Sequence, residues 1–375
     1  MRKLVALGLG VTLAVAGASP ALAQKAKLAP FAANPVADAA YVKAVGNPAF
    51  GGARTVAIPQ FTVEFVDVSD GLSAKEEKRQ DYVRVDYRLQ GLDAASRQQL
   101  TDRLYAAWVQ GLQARGLTVL GPRQLASTAT WGKLAPKLKP TPAAVERDSG
   151  LNQIFSVEGA GFAMPAGART PEGAASKNID TGAAVASKVG GRMGGMFGMA
   201  RGLMKMGGGL KDFGSAWDQA AAVGPLSRET GAAVMTVRLV VGLRDTDMAS
   251  RGFGLFRTAG SYDGKPRLVI QADGTEVTLA PPGDGRNLAR LQLTHDLVFA
   301  EDLMKGRIAL ANNTGTTVGN TLAKANFAAR AIGGGSATIS QVHHFDVRTD
   351  PAAVEAAIGR NLQSLQQALL GRIGS

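Results

Sequence analysis

Cysteine is missing from the 375-residue chain. Its absence excludes disulfides, a thiol nucleophile, zinc–thiolate sites and a lipidated cysteine, so any core must stand on apolar burial. Histidine is nearly absent too, at His295, His343 and His344. The phrase QVHHFD sets His343 and His344 beside Asp346. Consecutive strand residues point to opposite faces, so the two rings do not share one ion without a bulge, and no metal site is expected. G-x-S-x-G, S-x-x-K and H-E-x-x-H do not occur, and no cofactor or catalytic residue is expected. Asp245 and Asp247 in RDTD share a strand face and read as a polar turn at a strand end; the other reading is an acid pair.

Long apolar runs are also lacking. The longest useful one, Leu4–Ala16, follows Arg2 and Lys3 and precedes the small-x-small site Ala21-Leu22-Ala23. About 13 apolar residues are too few for a bilayer, which needs ~20. The segment reads as a secretion signal cleaved after Ala23, placing the mature chain in the periplasm or at the outer membrane. Lys and Arg number 42 against 30 Asp and Glu, a formal charge of +12, and +10 without Arg2 and Lys3. Such an excess favours anionic lipid, lipopolysaccharide or acidic polymer. Nucleic acid is the weakest candidate, since an exported protein rarely meets it.

What is present is a patterned α+β, or mixed α/β, sequence: an antiparallel-rich sheet packed with helices, plus an insert rich in Gly and Met. Residues 24–53 read as an extended leader. Arg54–Val68 is a strand, with Pro59 marking an edge or a bulge. YVRVDYRL alternates, with Val83, Val85 and Tyr87 on one side, and pairs with the first strand as a hairpin. Asp93 opens a helix whose Leu100, Leu104, Trp108 and Leu112 stack on one face, with Gly116 ending it. LTVLGP is a short buried strand, and 129–142 a Lys- and Pro-rich surface excursion. AAVERDSG predicts a short helix and a turn at Gly150, followed by a strand from Gln153 to Phe162. GAAVMTVRLVVGLRDTDM is the strongest strand; RLVIQADGTEVTLAPPGDG reads as an Asp-Gly hairpin. NLARLQLTHDLVFAEDL and ATISQVHHFDVRTD are further strands. The chain closes in a helix begun by Pro351, with Val354, Ile358, Leu362, Leu365 and Leu369 on one face. The expected division is 1–23, 24–53, an α/β unit at 54–165, the insert at 166–228, and a β-rich unit with its closing helix at 229–375.

The insert contains SKVGGRMGGMFGMARGLMKMGGGLK, from Ser187 to Lys211. At 100° per residue, Val189, Met193, Met196, Phe197, Ala200, Leu203 and Met204 form an apolar face. Gly190, Gly194, Gly198 and Gly202 repeat every fourth residue on the other side, with Arg201 and Lys205 among them. Small residues at this spacing let helices approach closely in membranes. Methionine supplies an adaptable apolar surface. Lys188, Arg192, Arg201, Lys205 and Lys211, with no acid between them, suit anionic headgroups. Each interior glycine costs ~1 kcal/mol against alanine, so such a helix forms only when something binds it. Three readings stay open: a flexible basic loop, a conditional helix against a membrane or a second copy, and a buried structural helix. A phosphate loop is excluded, because the G-x-x-x-x-G-K-[ST] order is missing.

The order RTVAIPQFTVEF, ASRQQLTDRLYAAWVQGLQARG, LTVLGPRQL, IFSVEGAGF, AAVMTVRLVV with RDTD, and the closing helix resembles the curli-secretion-channel family and related periplasmic α/β domains. The resemblance implies a periplasmic domain that assembles into rings at the outer membrane and exports or anchors surface fibres. The chain departs from that family in having no cysteine to lipidate, and in placing a Gly/Met segment with helical periodicity where the family uses alternating β-hairpins. No functional residue of the family carries over.

These observations lead to a non-enzymatic exported envelope protein that self-associates or contacts membrane through 187–211, in secretion or surface-structure assembly. The alternatives are a soluble periplasmic module holding an anionic polymer or glycan, and a hydrolase built around Asp245, Asp247 and His343.

Overall fold

The computed structural model describes residues 39–72, 75–76, 79–147, 150–163, 213–245, 266–283, 288–303, 308–310 and 338–374. They form an α+β fold around a large mixed sheet. The sheet grows from two apolar strands, β2 (Thr55–Val66) and β9 (Ala233–Asp245), which pair in parallel at its centre. On one side of β2 lie β8 (Gly150–Ser156), antiparallel to it, and then β7 (Ala143–Arg147), antiparallel to β8, while β6 (Thr118–Leu120) runs parallel to the start of β2. On the side of β9 lie β11 (Glu276–Ala280), β12 (Ala289–Leu293) and the edge strand β1 (Val42–Val45). β10 (Pro266–Ile270) pairs with the far end of β9 and with β13 (Leu297–Val298). Strands from both expected units, and from the expected leader, thus share one sheet.

One face of this sheet meets two long helices, α1 (Ala94–Gln113) and α5 (Pro351–Gly371). Asp93 caps α1 by accepting the Ser96 N–H, and Asp350 caps α5 at Ala352. Leu100, Leu104, Trp108 and Leu112 are buried, as is the stripe Val354, Ile358, Leu362, Leu365 and Leu369. Trp108 stands edge-on to Phe61 at 6.1 Å and donates its indole N–H to Met235 Sδ at 3.2 Å. Gly116, at φ +79°, closes α1: its N–H bonds Gln113 O, and the Leu117 N–H bonds Leu112 O.

The opposite face carries shorter helices, α2 (Pro122–Leu125), α3 (Ala129–Leu134) and α4 (Phe213–Thr230). Leu125, Trp131, Leu134, Val223 and Leu226 pack there on Ala57, Val234 and Ala280. A second sheet continues from β2 through the bend at Asp67: β3 (Val68–Leu72), β4 (Lys75–Glu76), β5 (Arg79–Gln90), β14 (Ile308–Leu310) and β15 (Thr338–Arg348). β5 and β15 run parallel, with Tyr87 and Phe345 stacked at 5.8 Å in the main core.

Several sequence expectations change. The helix expected at AAVERDSG is strand β7, paired with β8 across Arg147–Gly150, so the strand expected from Gln153 begins at Gly150 and ends at Ser156. The expected hairpin at 266–280 does not pair with itself, because β10 and β11 both pair with β9, one along each half. Residues 118–120 are half-exposed rather than buried. The 129–142 stretch is no mere excursion, since Trp131 and Leu134 roof the sheet. The chain before residue 54 is not all extended leader: β1 joins the sheet, and Phe50 is buried. The YVRVDYRL strand pairs with β3, the continuation of the first strand beyond its bend.

Candidate functional site

The face of the main sheet under the shorter helices is where the described residues place polar chemistry beside an apolar depression. Pro59 interrupts β2, and the register with β9 shifts between Ala57 and Gln60. The bulge reading of Pro59 therefore holds, on a central strand rather than an edge. Beside it Pro59, Gln60, Leu134, Leu138, Ala222, Val223, Leu226 and Thr236 line a small apolar depression. Its walls are α3 with the turn after it, and α4. The two walls are tied by Glu229 near the end of α4, whose carboxylate accepts the N–H groups of Ala129 at 2.6 Å and Thr130 at 2.9 Å.

The Thr130 side-chain and backbone bonds, then the Ala129 N–H, hold the Glu229 carboxyl below its ordinary value. A depressed carboxyl stabilises the fold above its unfolded value of 4.5, and that stability is lost as pH falls through the lower folded value. Urea midpoints of the parent protein and of Glu229→Gln are therefore expected to differ at pH 6 and to converge toward pH 3.

Beyond the depression the same face carries a polar row. Thr236 and Thr278 share a hydroxyl hydrogen bond. Arg238 donates to the Glu64 carboxylate, with Nη2 at 2.7 Å and Nε at 3.2 Å, and the Asn152 amide donates to the other oxygen. Glu64 is fully buried. Across the neighbouring strands Glu276 lies opposite Arg238, Gln292 opposite Glu276, and Lys43 opposite Gln292. Acceptors and donors alternate, so the row neutralises itself. Sequence reading passed over it, although a lone charge inside TVEFV and another inside TVRLVV were the available signals. Both sit at strand positions whose neighbours are apolar.

The Ser187–Lys211 residues chosen for membrane, self or anionic contact lie outside the described residues, and so does Asp247. Asp245 ends β9 opposite Pro266. His343 and His344 occupy consecutive positions of β15, opposite Val85 and Asp86 of β5. Among the described residues, no group of three or more His, Asp or Glu could hold a metal ion. No helix among them is long and apolar enough to cross a membrane.

The character of the body's surface separates the readings. The described residues hold 22 Lys and Arg against 21 Asp and Glu, so the remaining 20 basic and 9 acidic residues carry nearly all of the excess charge. Among the residues whose side chains are described, Val45, at 44% exposure, is the one large apolar side chain left exposed. The described residues are therefore close to electroneutral, and those with described side chains expose few large apolar groups. Compared with known proteins, the chain matches no protein family, no curated protein and no solved structure.

Proposed function

We propose that this chain is a non-enzymatic exported envelope protein whose α+β body carries the basic Gly/Met segment 187–211 to an anionic membrane surface, in secretion or surface-structure assembly. The observation that supports this reading is the near balance of charge among the described residues, 22 Lys and Arg against 21 Asp and Glu. Adhesive chemistry, both positive charge and methionine-rich apolar surface, is concentrated in the sequence outside them. Helix α4 begins two residues after Lys211, and its C-terminal half is anchored on the sheet through Val223 and Leu226. The segment is thus joined to a helix with a fixed seat.

Magnitudes favour a lipid surface over a second copy. The six glycines between Val189 and Lys205 cost a helix ~6 kcal/mol against alanine. Five cations at an anionic surface return ~1 kcal/mol each, and burial of the methionine face adds more. In a glycine-mediated pair of copies, Arg201 and Lys205 would meet their own like charges, because they sit on the glycine side. The reading in which the folded surface itself holds an anionic polymer has less support, since that surface nearly balances its charges.

The test is flotation of the mature protein on phosphatidylglycerol and phosphatidylcholine vesicles at low and high salt. The parent is expected to float on the anionic vesicles at low salt only, and a variant lacking 187–211 to stay in solution. Equal flotation of the two proteins, or of the parent on both lipids, would sink the proposal.

A further inference from the structure

Between Asp102 and Glu146 the chain carries six cations and no acid. Three of them are engaged: Arg103 with Glu355, Arg123 with Glu158, and Arg115 with the Leu370 carbonyl. The other three, Lys133, Lys137 and Lys139, are exposed on α3 and the turn after it. Lys133 lies near the Glu229 carboxylate. Lys137 and Lys139 have no ion-pair partner among the described residues. The described residues outside this run hold 16 Lys and Arg against 21 Asp and Glu, so the balanced total contains a local excess of cations.

Local geometry turns the three lysines outward. Trp131 and Leu134 bury one side of α3, and Lys133 is exposed on the other. Leu138 has extended backbone, with ψ at 144°, so its neighbours alternate with it: Leu138 packs inward, and Lys137 and Lys139 point the opposite way. The turn is fixed, because Lys139 exchanges both backbone hydrogen bonds with Phe162, at 2.8 and 3.0 Å, and Glu229 binds the N-terminus of α3. The platform also sits on the helix that continues from the basic Gly/Met segment. Leu134 and Leu138 meet α4 at Ala222 and Val223, nine residues into a helix that begins two residues after Lys211. Nine residues span about 14 Å of helix axis.

We propose that Lys133, Lys137 and Lys139 form a second contact with anionic lipid headgroups, made once 187–211 has bound, and that this contact decides which side of the body faces the bilayer. The inference rests on the membrane reading above and adds the body's own part to it. The lysines project from an outward turn, so they fit an extended array of headgroups rather than a single enclosed anion. Each lysine brought to such a surface strengthens partition roughly fivefold, so three alone do not hold the body there without the segment.

The experiment is flotation of the mature protein on mixed phosphatidylglycerol and phosphatidylcholine vesicles at low salt, with partition measured against lipid concentration. The platform variant carries Lys133→Gln, Lys137→Gln and Lys139→Gln. A control of equal net charge carries Lys43→Gln, Arg54→Gln and Arg348→Gln, exposed positions on other elements. The platform variant is expected to partition at least twentyfold more weakly than the parent, and the control to change less than threefold. Urea midpoints check that both variants fold as the parent does. Equal losses in the two variants would assign the effect to net charge and overturn the proposal. A parent and platform variant that float alike overturn it while leaving the membrane reading intact. A parent that stays in solution on every vesicle overturns both. Polyphosphate binding that the platform variant loses, without flotation of the parent, assigns the lysines to a soluble polyanion and also overturns it.

Discussion

Arg238→Ala is expected to cost about 3–5 kcal/mol of folding stability, among the largest penalties for any single substitution outside the aromatic core. The carboxylate that Arg238 balances is Glu64, whose side chain is 1% exposed in the middle of the central strand. Without the guanidinium, the Asn152 amide still donates, but a neutral donor does not offset a buried charge. The reverse change, Glu64→Ala, should cost less, because the Arg238 side chain keeps 18% exposure and reaches water along the sheet face. The double change Glu64→Leu with Arg238→Leu should recover most of the loss, since an apolar pair of similar volume needs no counter-charge. Guanidinium unfolding of the four proteins measures all three values. An Arg238→Ala penalty below that of Glu64→Ala would show that the carboxylate has other compensation, and would refute the asymmetry.

Trp108→Ala should cost a comparable 3–5 kcal/mol, for a different reason. The indole is fully buried where α1 meets the sheet, edge-on to Phe61 and bonded to Met235 Sδ. Removing it deletes the largest enclosed side chain and leaves a cavity roofed by a helix. That helix is capped at both ends and also packs on α5, so it collapses into the space only in part. Trp108→Phe should cost less than half as much, because most of the apolar volume stays. A near-neutral Trp108→Ala would mean that α1 shifts freely on the sheet, contrary to its capped and packed geometry.

These two predictions mark how much of the molecule the sequence exposes. Helices α1 and α5 were legible because local signals agree: Asp93 with Leu100, Leu104, Trp108, Leu112 and Gly116 for α1, and Pro351 with its own stripe for α5. Strand β9 was legible because thirteen residues rich in valine and leucine admit little else. The errors have causes that the sequence does not contain. AAVER is composed of residues that a helix accepts, yet five residues after Pro142 make too short a helix to stand alone. Pairing with β8, with Val145 seated against Ile154 and Phe162, decides for strand. The Asp-Gly signal at 273–274 does make a turn, with Gly274 at φ +96°, but not a hairpin. β9 is long enough to offer each arm its own half, and the Thr275 hydroxyl accepts the Val240 N–H between them.

The α+β class, the stripes of the long helices, the central strand β9, an edge or bulge at Pro59 and the five cations without an acid in the Gly/Met segment all follow from local periodicity and composition. These depend on neighbours within a few positions, and the chain states them directly. The pairing of Glu64 with Arg238, 174 residues apart, does not follow from them, nor does the roof that Trp131 and Leu134 build or the depression between α3 and α4. Those depend on which strand lies beside which. That choice is made by the burial of the whole sheet between its helices, an energy summed over residues distant in sequence, and the tertiary structure alone decides it.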